Sequence, residues 1–307
     1  MSVDGAESGT VGSLLRRGSG ALVDAGSESP RLDAELLMAA ALGVDRTTVM
    51  AHPEARPGTA QLAAYDAAIV RRAAGEPVAY IRGIKEFHGV ALSVDRRALI
   101  PRPETELLVD LAETEVRAAL SASPRPAGTP PFLIWDVGTG SGAIAIALAL
   151  DLRRRGYGAA ISLLATDVSP DALALAVENA VGHGVADVIR FAPGDLLETA
   201  ERPAAVDLIV ANLPYIPSAV VPTLPVAASF EPTMALDGGA DGLDLVRRLL
   251  SDLDGVVAPN GGALLEIGAD QSDAVLAAAA AALPDWRSSV HLDLADRPRV
   301  LQLQRAA

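Results

Sequence analysis

The chain has 307 residues, with 25 basic and 39 acidic side chains and a formal charge of −14. That length accommodates one large α/β domain and a smaller one. The acidic balance argues against a protein whose main task is gripping a phosphate backbone, which needs clustered Lys and Arg. With no cysteine there is neither a disulfide framework nor a thiolate zinc site. His52, His88, His183 and His291 are scattered, with no pair at metal-ligand spacing. The first thirty residues carry no apolar signal core, and the apolar runs at 143–150 and 274–283 are too short to span a bilayer. A cytoplasmic protein is expected.

To about residue 80 the pattern is helical. Leu14, Leu15, Leu22 and Val23 give one apolar stripe, and Leu32, Leu36, Leu37, Ala40 and Ala41 give a second. The second helix is punctuated by Ser29 as N-cap, Pro30 in its first turn and Gly43 after its last apolar position. Thr59 caps a third helix through Leu62, Tyr65, Ile69 and Arg72, which Gly75, Glu76 and Pro77 end. This 1–80 module has no catalytic constellation of its own. It reads either as a docking domain for a macromolecular substrate or as a stabilising cap.

From residue 81 the period shortens, and Phe87, Val90, Leu92 and Val94 around Gly83 and Gly89 predict a β-hairpin linker within 81–104. Pro101 and Pro103 then hold Arg102 extended. With Glu104 this makes a rigid charged loop, suited to a site or equally to a solvated helix start, where Glu104 and Glu106 favour the positive end of the dipole. A helix over 105–120 leads to a proline-rich surface loop at 121–131. Strands and helices then alternate. The strands fall at 132–137, 161–165, 188–191, 207–211 and 263–267, and the helices at 143–153, 171–181, 243–253 and 274–283. A closing antiparallel pair lies near 290–292 and 300–303. This is the signature of a doubly wound, mostly parallel α/β sheet, here within one domain over 105–307.

The run Trp135-Asp-Val-Gly-Thr-Gly-Ser-Gly142 lies between a strand and a helix, where glycines let the backbone approach a ligand at the positive helix end. Gly138, Gly140 and Ala143 satisfy the dinucleotide fingerprint, so a nicotinamide enzyme has to be weighed. Asp136, an anion behind the glycines, opposes a pyrophosphate and suits the cationic amino-acid part of S-adenosylmethionine. Asp167 ends the second strand, where a carboxylate accepts ribose hydroxyls in either cofactor class. Asp195 and Leu196 end the third, where an adenine amino group would be held.

The fourth strand stops at Asn212-Leu-Pro-Tyr215. The Asn212 amide oxygen is an acceptor, and Pro214 forces Leu213 extended so that its carbonyl can share the pocket. Tyr215 offers a flat wall. Two acceptors make a receptor for a planar –NH2 group.

The ordered set of motifs resembles the release-factor glutamine methyltransferases, which methylate the glutamine side-chain nitrogen in the Gly-Gly-Gln loop of class 1 peptide chain release factors. It comprises Ser29-Pro-Arg-Leu-Asp-Ala-Glu-Leu-Leu37, Gly75-Glu-Pro77, Glu86-Phe87, Leu99-Ile-Pro-Arg-Pro-Glu-Thr-Glu106, Asp136-Val-Gly-Thr-Gly-Ser-Gly-Ala-Ile144, Asn212-Leu-Pro-Tyr215, Phe230-Glu-Pro232, Ala235-Leu236 and Gly238-Gly239. The resemblance implies a seven-stranded Rossmann-like methyltransferase sheet and S-adenosylmethionine as cofactor. It implies cofactor contacts from Gly138, Thr139, Gly140, Ser141, Gly142, Asp167 and Asn212, and a glutamine amide held by Asn212, Leu213, Pro214 and Tyr215. Leu213 stands where the family usually has Pro, and Leu196 where relatives can have an aromatic residue. A nucleic-acid adenine N6-methyltransferase is the alternative, but flipped bases need a basic channel and stacking surfaces. Intact Asn212, Pro214 and Tyr215 speak against a non-catalytic cofactor-binding regulator. A monomer is expected, acting on release factors and on neither membrane nor nucleic acid.

Overall fold

The computed structural model describes residues 9–125 and 128–305. Positions 126 and 127 of the proline-rich loop lie outside the described residues. The chain divides into two compact units, Met1–Ile84 with Pro225–Phe230, and Lys85–Leu224 with Glu231–Ala307.

In the first unit the helices are α1 (Val11–Asp24), α2 (Pro30–Leu42), α3 (Arg46–Ala51), α4 (Thr59–Ala73) and α5 (Val78–Arg82). Leu14, Leu22, Leu37, Met38, Tyr65 and Ile69 meet in its core. The buried face of α2 differs from the apolar stripe: Leu32 is exposed, whereas Asp33 and Glu35 are buried. Ion pairing makes this tolerable, because a buried carboxylate must be compensated. Arg72 Nε donates to Asp33 at 2.7 Å, and Arg31 and Arg46 donate to Glu35 at 2.9 and 2.7 Å. Burial works to raise the Glu35 carboxyl, yet these two arginines hold it below its ordinary value. Thr59 proves to be the first helical residue, with Gly58 at the N-cap, where its N–H donates to Gln61 Oε1 at 2.9 Å.

The hairpin of β1 (Ile84–Phe87) and β2 (Val90–Ser93) turns at His88 and Gly89, whose φ values of 49° and 70° suit a tight turn that follows strand twist. Phe87, Val90 and Leu92 are buried in one cluster with Leu108, Val116, Ile146 and Leu148. The second unit continues through α6 (Glu106–Ala122), β3 (Phe132–Val137), α7 (Ala143–Arg154), β4 (Ile161–Asp167), α8 (Pro170–Gly182), β5 (Ile189–Pro193) and β6 (Val206–Ala211). It closes with α9 (Asp244–Asp252), β7 (Val257–Glu266), α10 (Ser272–Ala282), β8 (Trp286–Leu292) and β9 (Pro298–Arg305). The seven-stranded sheet has the order β5-β4-β3-β6-β7-β9-β8. It is parallel up to β7, and β9 runs antiparallel to both β7 and β8. Apolar clusters cover both faces, as a parallel sheet requires. β7 starts six residues earlier than the apolar pattern indicates (263 − 257), since Pro259, Asn260 and Gly261 read as a turn. The strand absorbs them with Asn260 left-handed at φ 64° and a register shift opposite Val206 and Leu208.

Candidate active site

Val137 pairs with Ala211, and Ala211 with Leu265, so β3, β6 and β7 end side by side. The next residues, Gly138, Asn212 and Glu266, therefore share the carboxyl edge of the sheet. This edge is where the strand order reverses about β3, the place at which open α/β sheets bind ligands.

The glycine loop is tied down at its start by Thr166, whose carbonyl accepts from the N–H groups of Gly138 and Thr139, each at 2.9 Å. Gly138 is left-handed at φ 74°, and a Cβ there would lie 3.2 Å from Leu213 Cδ2. Gly140 and Gly142 are also left-handed. Asp136 is fully buried beneath the loop, where its Oδ2 accepts from Thr139 Oγ1 at 2.6 Å and Ala145 N at 3.2 Å. Its Oδ1 is buried without a hydrogen-bond partner, and burial pushes the carboxyl up to about 7.

Asp167 lines the cleft. Its Oδ2 accepts from Gly140 N and its Oδ1 from Ser169 N, both at 2.8 Å, yet burial still raises the carboxyl. Each oxygen keeps a lone pair free. Asp195, also on the cleft, pairs with Arg248 at 2.8 Å, and Leu196 is buried with a left-handed φ of 53°. Thr139 and Ser141 border the cleft beside Gly138 and Gly140. The Ser141 carbonyl accepts from Asn179 Nδ2 at 3.0 Å, and the same Asn179 amide brackets the Ser93 backbone.

At the fourth strand Asn212 lines the cleft, with its Nδ2 donating to Thr105 Oγ1 at 2.9 Å. No described hydrogen bond takes its Oδ1. Leu213 is 5% exposed, its side chain in the core beside Gly138, and Pro214 borders the cleft. The segment beyond is zipped to a glycine-rich turn. Ile216 N donates to Leu236 O at 3.1 Å, and Gly238 N donates to Ile216 O at 2.9 Å. A Cβ on Gly238 would come within 2.5 Å of the Pro214 carbonyl, so only glycine permits this approach. Gln271 Nε2 adds a bond to the Tyr215 carbonyl at 3.0 Å.

Eleven residues from the sequence reading are brought together on the cleft: Arg102, Gly138, Thr139, Gly140, Ser141, Asp167, Asp195, Leu196, Asn212, Leu213 and Pro214. Asp136 and Gly142 support it from beneath. Tyr215 does not line it; its hydroxyl donates instead to Glu266 at 3.4 Å, and burial pushes the phenol up to about 12. Glu104 is exposed, and Arg102 is held by the buried Glu231 at 2.6 Å. Glu231 also accepts from Ile100 N at 3.1 Å. The sequence motifs contain Thr105 and Glu231 without giving either a role at the site, and they leave out Glu266. For Glu266 a signal existed, since a carboxylate closes an otherwise apolar run at a strand's carboxyl end.

Residues 13–83 match the family described as PrmC N-terminal domain, and residues 109–209 the family described as precorrin methyltransferase domain. A release factor glutamine methyltransferase of Deinococcus radiodurans is 37% identical over 297 residues, 95% of this chain and 98% of that protein. Another, of Moorella thermoacetica, is 39% identical over 265 residues, 86% of each chain. Among solved structures, the hMettl16 catalytic domain in complex with a MAT2A 3'UTR hairpin matches with a TM-score of 0.53 at 18% identity. That match covers 72% of this chain and 76% of the other and is a likeness of fold alone.

Proposed function

The chain belongs to the release factor glutamine methyltransferase family, and from that membership we propose its reaction: methyl transfer to the side-chain amide nitrogen of the glutamine in the Gly-Gly-Gln motif of class 1 peptide chain release factors. It is an S-adenosylmethionine-dependent methyltransferase. The residues present fit that cofactor. Asp136, buried with an unpartnered oxygen behind the glycine loop, disfavours a pyrophosphate there, and a cation bound beside it would favour its charged form. Asp167 keeps lone pairs for vicinal hydroxyls. In this reading Gly138, Thr139, Gly140, Ser141 and Gly142 cradle the cofactor, with Asp136, Asp167, Asp195, Leu196 and Asn212 around it. Bound there, S-adenosylmethionine supplies an electrophilic methyl group on a positively charged sulfur.

The observation that carries the reading is the Asn212 amide, whose nitrogen is tied to Thr105 so that its oxygen remains an acceptor at the cleft. Asn212 Oδ1 and the Leu213 carbonyl accept the two amide hydrogens of the substrate, and Pro214 keeps Leu213 extended. An amide nitrogen is a weak nucleophile because its lone pair is delocalised. Orientation therefore supplies most of the acceleration, with well-placed groups contributing on the order of 7–11 kcal/mol. The acceptors also stabilise positive charge developing on nitrogen. Tyr215 backs this receptor as a neutral phenol, and Arg102 and Glu104 meet the chain flanking the glutamine.

The same reading assigns 1–80 to release-factor docking, 81–104 to a hairpin linker and 105–307 to methyl transfer, in a cytoplasmic monomer that does not act on nucleic acid. Among the described residues no helix is long and apolar enough to cross a membrane. Labelled methyl donor incubated with the protein and either release factor or DNA tests the activity. Label in release factor is expected, and label in DNA alone overturns the reading. Asn212→Ala should lower transfer by roughly a hundredfold or more, with cofactor binding weakened but measurable.

A further inference from the structure

Gln271 lies just beyond β7, is 6% exposed, and accepts from Val275 N at 2.9 Å through its backbone carbonyl as α10 begins. Its side-chain amide is engaged at both ends. Oε1 accepts from Gly268 N at 2.7 Å, and Nε2 donates to the Tyr215 carbonyl at 3.0 Å and to the Asp241 carbonyl at 3.5 Å. An amide has two donors on nitrogen and only acceptors on oxygen. A flipped amide would set oxygen against both carbonyls and N–H against N–H, so the orientation is fixed. A Cβ on Gly242 would lie 2.7 Å from Nε2 and press on the Tyr215 oxygen, so glycine makes the room for this contact.

The amide receptor needs two acceptors in register, Asn212 Oδ1 and the Leu213 carbonyl. Thr105 fixes the first through Asn212 Nδ2 at 2.9 Å. The second belongs to the peptide joining Leu213 to Pro214, whose direction follows from the dihedrals on either side of a planar unit. Leu213 has no ring to fix its φ, so the backbone beyond it carries more of the positioning. That backbone is held at successive groups: the Tyr215 carbonyl by Gln271, Ile216 N by the Leu236 carbonyl and Ile216 O by Gly238 N.

We propose that Gln271 is a positioning residue for the methyl acceptor: by clamping the Tyr215 carbonyl it holds the backbone over 213–215 so that the Leu213 carbonyl stays in register with Asn212 Oδ1. This role rests on the amide-receptor reading of Asn212. Neither Gln271 nor Tyr215 lines the cleft. Loss of the clamp therefore shows in transfer to the acceptor and leaves methyl-donor binding in place.

Two readouts on the full-length protein test this. Gln271→Met keeps the length of the side chain and removes its donors and acceptor. In steady-state methylation of release factor at saturating S-adenosylmethionine it should lower kcat roughly tenfold to a hundredfold, with the methyl-donor dissociation constant within about threefold of wild type. Val275→Ala, a buried change on α10, controls for stability and should lower the melting temperature with kcat unchanged. Gln271→Glu sets an ionised carboxylate against two carbonyls, and protonation restores one O–H donor. Its deficit relative to wild type should therefore narrow as pH falls. The Asn212→Ala/Gln271→Met double variant should be no more than about threefold worse than Asn212→Ala, because both act through one receptor. Wild-type kcat in Gln271→Met overturns the proposal, as do an equal loss in Val275→Ala, a Gln271→Glu deficit indifferent to pH, or losses that multiply in the double variant. The second readout, hydrogen exchange, needs no turnover. The amides of Ile216 and Gly238 should exchange faster in Gln271→Met, while Gly138 and Thr139, held by the Thr166 carbonyl, keep their wild-type rates. Faster exchange at those two amides in a protein that leaves release factor unmethylated supports the clamp and overturns the function. Methylation with exchange and kcat both indifferent to Gln271 overturns the clamp alone.

Discussion

A side chain at Gly138 is disfavoured for two reasons that act together. Its φ of 74° disfavours any L-residue, and an added Cβ would press on Leu213, the neighbour of Asn212. Gly138→Ala should cost about 1–3 kcal/mol in thermal melts and weaken cofactor binding, measured by calorimetry, by more than the stability loss alone explains. Asp136 gives the opposite balance. Its carboxyl is held near 7 by burial, so above its unfolded value of roughly 4 the ionising tendency opposes folding, increasingly so until the folded value is passed. Asp136→Asn should therefore melt no lower than the wild type at about pH 8 while binding the cofactor more weakly. The type and place of both residues were legible in the D-x-G-x-G run. What Asp136 touches was not, because Thr139 Oγ1 and Ala145 N converge on it only after the loop closes. Leu213 reads in sequence as a lost proline. In the structure it is a core side chain seated against Gly138, so the residue that looked like a departure also shapes the glycine loop's neighbour.

Elements without periodicity were the least legible. The stretch between β6 and α9 holds three short 3-10 turns, joined to the end of β6 by backbone bonds such as Ile216 N to Leu236 O. No alternation of apolar residues foretells such bonds. The strands around the site are different: their apolar runs and flanking glycines gave β3, β4 and β6 nearly to the residue, since burial on both faces leaves little freedom. Two side chains then anchor the irregular parts. Glu231 holds Ile100 N and Arg102. Glu231→Ala leaves a buried N–H without its acceptor, which should cost about 1–3 kcal/mol. It should also speed hydrogen exchange in 100–102 and 232–236. Asn179 ties Ser93 to the Ser141 carbonyl, so Asn179→Ala should loosen both hairpin and glycine loop. A raised KM for the methyl donor with kcat little changed is the expected kinetic signature.

For the whole molecule, the two carboxyls raised to about 7, Asp136 and Glu266, tilt stability with pH in one direction. Both bind a proton in the folded state where the unfolded chain has lost it, so their contribution is complete below about pH 4 and is lost as pH rises through about 7. Carboxylates lowered by arginine partners, such as Glu35, act in the reverse sense at acid pH. The melting temperature should therefore decline from about pH 5.5 to 8, and Asp136→Asn should flatten the decline. Saturation with S-adenosylmethionine at about a hundred times its dissociation constant should add roughly 2.7 kcal/mol, offsetting that loss. The order of strands has a further consequence, for descent and for engineering. In the proposed reading the glycine loop, Asp167 and Asp195 follow β3, β4 and β5, and the amide receptor follows β6, on the other side of β3. The walls of the cleft thus come from successive stretches of gene, except for the segment 97–105 before β3, which also lines it and carries the Thr105 that holds Asn212. A graft meant to change the methyl acceptor would therefore have to carry 97–105 together with the later stretch and keep Asn212, which serves both sides of the cleft.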